Sequence, residues 1–476
     1  MKFSNIGFGC YRISNKIEEH YQALYKALID GINLIDTSAN YYDGGSELLA
    51  GRVINELISE SKIKREDIII VTKGGYIQGQ NLRLAKKLKS EDKPFGEVVE
   101  IQNGLWHCIS PDFLEDQINR QLHRLDTEYI DVYLLHNPEY YLDWAKENEI
   151  QIEIAREVYY ERIRKAFVYL ETKVDEGKIK SYGVSSNTFI SYSNQYNFTS
   201  LERVLDTANS IKADNHFKVI QLPFNLVEAG AIKAKNQISN TETVLDLADR
   251  TGMIVLVNRP LNAITSKGLV RLSEFSAEPF FEKDFIKQMK LVSLMEDDLL
   301  TEKITEEDLS EEELKNLKEY LTFGRIVEEN WKFFGSIEHY NDIITQLFAP
   351  KIDFLIKFFD EKIRDENVKD FFGRYVKECY KLLNFVSNYY KMRAEKRSKF
   401  LNSIIDKNLD EKFHSLTLSE KAVLLLNSVK GVNCVLLGMR KEKYVEDALK
   451  VLNKNDIANA EEIIRFVSEE IQNAET

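Results

Sequence analysis

The sequence predicts a (β/α)8 barrel with an all-helical insertion between strands seven and eight. Three observations carry this. Short apolar runs rich in Ile, Val and Tyr recur eight times. Helical segments separate them, which calls for a parallel sheet buried on both faces. No Gly-x-Gly-x-x-Gly fingerprint follows any run, which disfavours an open doubly wound sheet.

The runs come in this order. IGFGCYR starts at Ile6, INLIDT at Ile32, DIIIVTKGG at Asp67 and YIDVYLLHNP at Tyr129. KSYGVSSN starts at Lys180, VIQLPFN at Val219 and GMIVLVNRPL at Gly252. The eighth, GVNCVLLGMR, begins only at Gly431. Between runs lie segments such as IEEHYQALYKALIDG and FLEDQINRQLHRL. In the latter, Phe113, Leu114, Ile118, Leu122 and Leu125 recur at helical spacing.

The alternation breaks twice. Residues 77–108 form a long polar stretch containing KKLKSEDKP, far beyond an ordinary βα loop. From 262 to 415 no strand signal is visible, only amphipathic, aromatic-rich helices interrupted by Pro279 and Pro350. The expected domains are a barrel from 1–265 and 416–476 and a helical subdomain from 266–415. Its Phe, Tyr and Leu at helical spacing imply a core of its own. It is expected to roof the barrel mouth as a lid; a bulge on the flank or a homo-oligomer contact is the alternative.

Composition narrows the function. Over 476 residues, 43% are hydrophobic and 30% charged, so a large core can form. Lys and Arg number 64 against 77 Asp and Glu, a net charge of −13, which argues against general nucleic-acid binding. No run of apolar residues reaches membrane-spanning length, and the start reads as no signal peptide. The four cysteines lack a Cys-x-x-Cys pair and read as reduced thiols of a cytoplasmic protein. The seven histidines never fall at His-x-His or His-x-x-x-His spacing, so no metal site is expected.

In such a barrel the chemistry sits at the C-terminal ends of the strands. Strand two ends in Asp36, strand three in Lys73 and strand four in His136, with Tyr41 and Tyr42 in the loop after Asp36. Each has a plainer explanation, as a helix cap, a solvated charge, a loop hydrogen-bonder or turn packing. Their joint placement on three consecutive strand ends points to a site. A buried Lys–Asp pair beside a phenol is expected to lower the tyrosine pKa towards usable values. The phenol can then protonate a carbonyl oxygen, and His136 can orient that oxygen. No side chain supplies hydride; a nicotinamide cofactor would.

These residues resemble the aldo-keto reductase superfamily, over about 1–265 and 416–452. Its Asp-Thr-Ala-x-x-Tyr pattern stands here as Asp36-Thr37-Ser38-Ala39-Asn40-Tyr41, followed by Gly45-Ser46-Glu47. Thr72-Lys73 and Asp131-Val132-Tyr133-Leu134-Leu135-His136 match two further motifs. The resemblance implies catalytic Asp36, Tyr41, Lys73 and His136, with Tyr41 rather than Tyr42 as the acid. It implies cofactor contacts from Gly9, Cys10, Tyr11, Asp36, Ser185, Ser186 and Gln221. Asn258, Arg259, Pro260 and Leu261 stand where Tyr-Ser-Pro-Leu is usual, and Arg259 is expected either at the pyrophosphate or in a surface ion pair. Gly438, Met439 and Arg440, with Lys441, resemble the segment receiving the adenosine 2′-phosphate, so NADP(H) is expected over NAD(H). The implied activity is reduction of an aldehyde or ketone, or oxidation of the alcohol. The alternatives are a regulatory or binding subunit of the same fold with slow or no turnover, and a lyase or isomerase using the same rim. The expected partners are a small-molecule carbonyl or alcohol, with no nucleic acid or membrane.

Overall fold

The computed structural model describes residues 2–265, 268–304 and 309–475. All eight apolar runs are strands: β1 (Ile6–Gly9), β2 (Leu34–Asp36), β3 (Ile69–Gly74), β4 (Ile130–His136), β5 (Ile179–Ser185), β6 (Phe217–Pro223), β7 (Ile254–Asn258) and β8 (Cys434–Leu437). They close into one barrel in which every neighbour is parallel, β8 sealing the gap between β7 and β1.

Continuous apolar strands follow from burial on both faces. Every residue of β3 and β4 is buried, and β5 and β6 each expose only a single Lys near the start, Lys180 and Lys218. Inward-pointing Leu34, Val71, Leu134, Val219 and Leu256 fill the barrel as a packed core. The helices are set by local signals. Ser110 and Pro111 open the helix Pro111–Leu125. Thr243 and Asp246 form a reciprocal capping box on Val244–Thr251, and Gly252, at φ 69°, ends that helix in the left-handed region.

Two sequence expectations need correction. Residues 76–107 are not merely a long polar loop. They hold a helix, Gly79–Ser90, and a three-stranded antiparallel sheet from Tyr76–Ile77, Val99–Gln102 and Leu105–His107. The region from 262 is not purely helical either, since Asn262–Thr265 pairs with Gly268–Arg271. Both sheets were hidden because their strands are two to four residues long, too short for a period-two pattern to register.

The chain separates into two compact units, one running through Ala263 and resuming at Ser419, the other spanning Ile264–Leu418. The second unit has its own core, built from Phe285, Val292, Leu317, Phe323, Tyr340, Leu355 and Leu382. Its longest helix is Glu366–Asp406. A buried carboxylate organises its centre. Glu296 accepts hydrogen bonds from the Phe323 amide at 2.6 Å and the Tyr375 hydroxyl at 2.8 Å, capping the helix Phe323–Asn330 from outside. Pro350 follows the π-helical turn Ile344–Phe348 after one intervening residue, a widening that accommodates a residue without an N–H.

Gly183 marks the tightest point of the barrel. A Cβ there would lie 1.9 Å from the Val219 carbonyl oxygen, and the β5–β6 register shifts at this step. Gly183→Ala should therefore destabilise the barrel by about 3 kcal/mol or more through forced backbone displacement. The drop would be read as a lowered urea midpoint.

Candidate active site

Lys73 is the penultimate residue of β3, its side chain fully buried, a position an ammonium tolerates only when paired. Its Nζ lies 2.7 Å from the carboxylate of Asp36, at the end of β2, and 2.9 Å from the Thr37 carbonyl oxygen. The third neighbour is the Tyr41 hydroxyl at 3.5 Å. Tyr42 points outward, with 54% of its surface exposed. Of the two tyrosines, only Tyr41 therefore reaches the ion pair. His136 ends β4, and its ring stands edge-on to Tyr41 with centroids 6.0 Å apart.

The electrostatics differ from the sequence expectation in one respect. The net shift of the Tyr41 phenol is upward rather than downward. Burial pushes its pKa well above the ordinary value, and the charge of Asp36 adds to the rise, with smaller contributions from Tyr11 and Cys10. The carboxylate neutralises Lys73 at close range, so the phenol meets an ion pair rather than a bare cation. Tyr41 is accordingly a neutral O–H donor. Burial, then Lys73, then His107 hold His136 well below the usual histidine range, so its imidazole is neutral.

The remaining candidate residues divide. Gln221, on β6, donates to Asp36 at 2.7 Å and accepts from Ser185 at 2.9 Å and from the Asn258 amide at 3.5 Å. Asp36, Ser185, Gln221 and Asn258 thus form one polar cluster across four strand ends. Among the described residues Asn258 Oδ1, buried in this cluster, has no hydrogen-bond partner. Gly9 and Gly438 face each other across the β1–β8 rim, where a Cβ on Gly9 would come within 3.2 Å of the Leu437 carbonyl oxygen. Tyr11 is exposed and packs edge-on against Tyr41 at 5.2 Å, while Cys10 is buried beneath. Pro260 and Met439 are buried, Leu261 and Arg440 half-buried.

Two candidates are drawn elsewhere. The Ser186 hydroxyl turns to Thr188 and Thr199, each at 3.1 Å. Arg259, at φ 53°, pairs with Glu228 at 2.9 Å, the ion-pair alternative. Lys441 lies 3.3 Å from Glu19.

Several neighbours were not among the expected site residues. Ser38 Oγ lies 3.0 Å from His136 Nδ1. Tyr76 stands edge-on to the His136 ring at 4.6 Å, and its hydroxyl accepts from Asn137 at 2.7 Å. His107 Nε2 bonds the His136 carbonyl oxygen at 2.8 Å. Glu139 accepts from the Asn187 amide at 2.8 Å, tying the loop after β4 to the loop after β5. For Tyr76 and His107 the one signal was the length of the stretch that follows Tyr76, whose ends pair in the small sheet.

This geometry can be set beside known proteins. The sequence model of the Aldo/keto reductase family matches residues 5–279, more than half of the chain. The chain belongs to the aldo/keto reductase family. Among curated relatives, this family member is 29% identical over 187 residues to the 4-dihydromethyl-trisporate dehydrogenase of Mucor mucedo, covering 38% of this chain and 47% of the relative. It is 31% identical over 106 residues to the NADH-specific methylglyoxal reductase of Escherichia coli, covering 22% and 27%. It is 26% identical over 198 residues to an NAD(P)H-dependent D-xylose reductase of Kluyveromyces lactis, covering 39% and 49%. Each match spans less than half of the relative's own length. Among solved structures, an aldo-keto reductase from Bacillus halodurans aligns over 98% of this chain and 93% of its own, with 15% identity and a TM-score of 0.48.

Glu139 gives this aldo/keto reductase a pH signature. Burial pushes its carboxyl up to about 7. The folded chain therefore holds a proton that the unfolded chain releases near 4.5. Stability should fall as pH rises between those values, by on the order of 3 kcal/mol in all. Glu139→Gln keeps the acceptor for Asn187 and should flatten that slope, leaving the variant more stable than the parent at alkaline pH. Denaturant midpoints measured across pH give the comparison.

Proposed function

We propose that the protein catalyses the NAD(P)H-linked interconversion of an aldehyde or ketone and its alcohol. The observation that carries this is the Tyr41 hydroxyl meeting a fully buried Lys73–Asp36 pair, with neutral His136 at the same rim. A nicotinamide cofactor, when bound, supplies the hydride. The residues present suit it. The unpartnered Asn258 Oδ1 is an acceptor waiting for a donor such as a carboxamide N–H, and Ser185 and Gln221 stand beside it. Gly9 and Gly438, without side chains, would leave room for a nucleotide at the β1–β8 rim.

The chain's own groups handle the proton. Tyr41, kept neutral by burial, donates its O–H to the substrate oxygen as that oxygen gains negative charge. Lys73 stabilises the phenolate left behind, and Asp36 holds Lys73 in place. His136 uses its neutral ring to orient the substrate oxygen. The carbonyl substrates named for the Escherichia coli and Kluyveromyces lactis relatives, methylglyoxal and xylose, support a small carbonyl compound here.

NADP(H) is the proposed preferred nucleotide, on the cations Arg440 and Lys441 at the start of the helix Glu442–Leu449. Arg440→Ala should weaken NADPH binding while leaving NADH binding nearly unchanged, with the difference shrinking at high salt. Fluorescence titration at two ionic strengths reads it, and equal NADPH and NADH affinities in the parent protein would refute the preference.

The decisive test of the reaction is a pair of variants assayed by nicotinamide absorbance against a panel of aldehydes, aldoses and ketones. Tyr41→Phe should lose about 10²–10⁴-fold in turnover while still binding nucleotide. Tyr42→Phe should stay within about twofold of the parent, since one exposed hydroxyl is all it removes. Absence of carbonyl-dependent nucleotide oxidation across the panel would favour the binding-subunit alternative.

A further inference from the structure

Directly after Tyr41 the backbone enters the left-handed region at three consecutive residues: Tyr42 at φ 48°, Asp43 at 55° and Gly44 at 89°. Gly44 takes this freely. Tyr42 and Asp43 carry a Cβ that crowds the backbone there, Tyr more so than Asp. Two such residues in succession persist only where the surroundings hold them.

The hold comes from the segment after β3. Asp43 Oδ1 accepts the backbone N–H of Gln80 at 2.9 Å, and Gln80 Nε2 donates back to the Asp43 carbonyl oxygen at 2.7 Å. Arg83 lies 3.5 Å from the same carboxylate. The helix Gly79–Ser90 has no side-chain cap from its own N-cap residue, Gln78. Asp43 caps it instead, from 36 residues away in sequence relative to Gly79. Gly79 makes the room: a Cβ there would fall 2.2 Å from Asp43 Oδ1, and its own φ is 52°. On the other side of Tyr41, Asn40 donates to Gln78 Oε1 at 3.3 Å. Residues 78–83 therefore grip the loop before and after the tyrosine.

We propose that Asp43 is a positioning residue for Tyr41: clasped by Gln80 in the space that Gly79 leaves, it holds the left-handed turn closed and so keeps the phenol within reach of Lys73. This rests on the reading of Tyr41 as the proton donor. The rival is that Asp43 only caps a surface helix.

Four variants of the full chain separate the two: Asp43→Ala, Asp43→Asn, Gly79→Ala, and Asp43→Ala combined with Tyr42→Gly. The probe reaction is reduction of 4-nitrobenzaldehyde with NADPH. Asp43→Ala and Gly79→Ala should lower kcat about ten- to hundredfold with KM little changed, as expected for a misplaced acid. Amide exchange in residues 40–46 should quicken, with exchange in β2 and β3 unaltered. Asp43→Asn, which keeps an acceptor and tolerates positive φ, should retain most of kcat. The decisive arm is Tyr42→Gly in the Asp43→Ala background, which should recover turnover because glycine adopts this φ unaided. Failure of that rescue, or loss of activity in step with melting temperature and without faster exchange at 40–46, overturns the clasp in favour of the cap. Should Gly79→Ala not fold, Gln80→Ala removes one clasp bond with little disturbance and should show the same pattern more weakly. A parent enzyme without carbonyl turnover would refute the proton-donor reading, and the exchange measurement would still decide the clasp.

Discussion

An ammonium shut away from water has to be met on every side, and the rim of this barrel is organised by that requirement. Lys73 finds Asp36, the Thr37 carbonyl and the Tyr41 hydroxyl. Asp36 in turn takes Gln221, which takes Ser185 and Asn258. One buried charge thus recruits the ends of β2, β3, β5, β6 and β7 into a single network. Breaking such a pair by removing one partner strands the other charge, at about 3–5 kcal/mol. The residues proposed for catalysis and those proposed to face the cofactor are therefore not independent sets in this chain.

A second buried carboxylate steadies the first. Glu47, wholly buried, accepts from Thr72 at 2.6 Å, Gln121 at 2.8 Å and Arg124 at 2.6 Å. Gln121 also donates to the Lys73 carbonyl oxygen at 3.0 Å. The helix starting at Gly45 is locked by Glu47 to the strand that presents Lys73. The Gly45-Ser46-Glu47 motif thereby supports the loop that carries Tyr41, with Ser46 bonding Thr37 at 2.9 Å.

What could be read from the sequence followed burial. The eight barrel strands are continuous apolar runs because both faces are covered, and each was visible for that reason. That Asp36, Lys73 and His136 would share one rim was legible because all three fall at strand ends, and the spacing of the family pattern singled out Tyr41, the tyrosine that reaches Lys73. The small sheet at 76–107 was not legible. Its strand VEIQ alternates buried and open positions over only four residues, with a Glu exposed. The protonation of Tyr41 was misjudged for a different reason. Sequence names the charges near a phenol, but the depth of its burial belongs to the folded chain. Ser186 and Arg259 sit at the right strand ends, yet their side chains are claimed by Thr199 and Glu228, partners that spacing could not announce.

The order of the strands also has a consequence in time. Strand β8 closes the barrel, yet residues 259–433 separate it from β7 along the chain. Until β8 emerges, β1 and β7 are open edges of a seven-stranded parallel sheet, with unpaired N–H and C=O groups that invite other chains. At about 5–20 residues per second, ribosomal synthesis of that stretch takes roughly 10–35 s. During that interval neither edge can meet its partner strand from this chain. A barrel with a short last connection leaves its two edge strands waiting for a far shorter time.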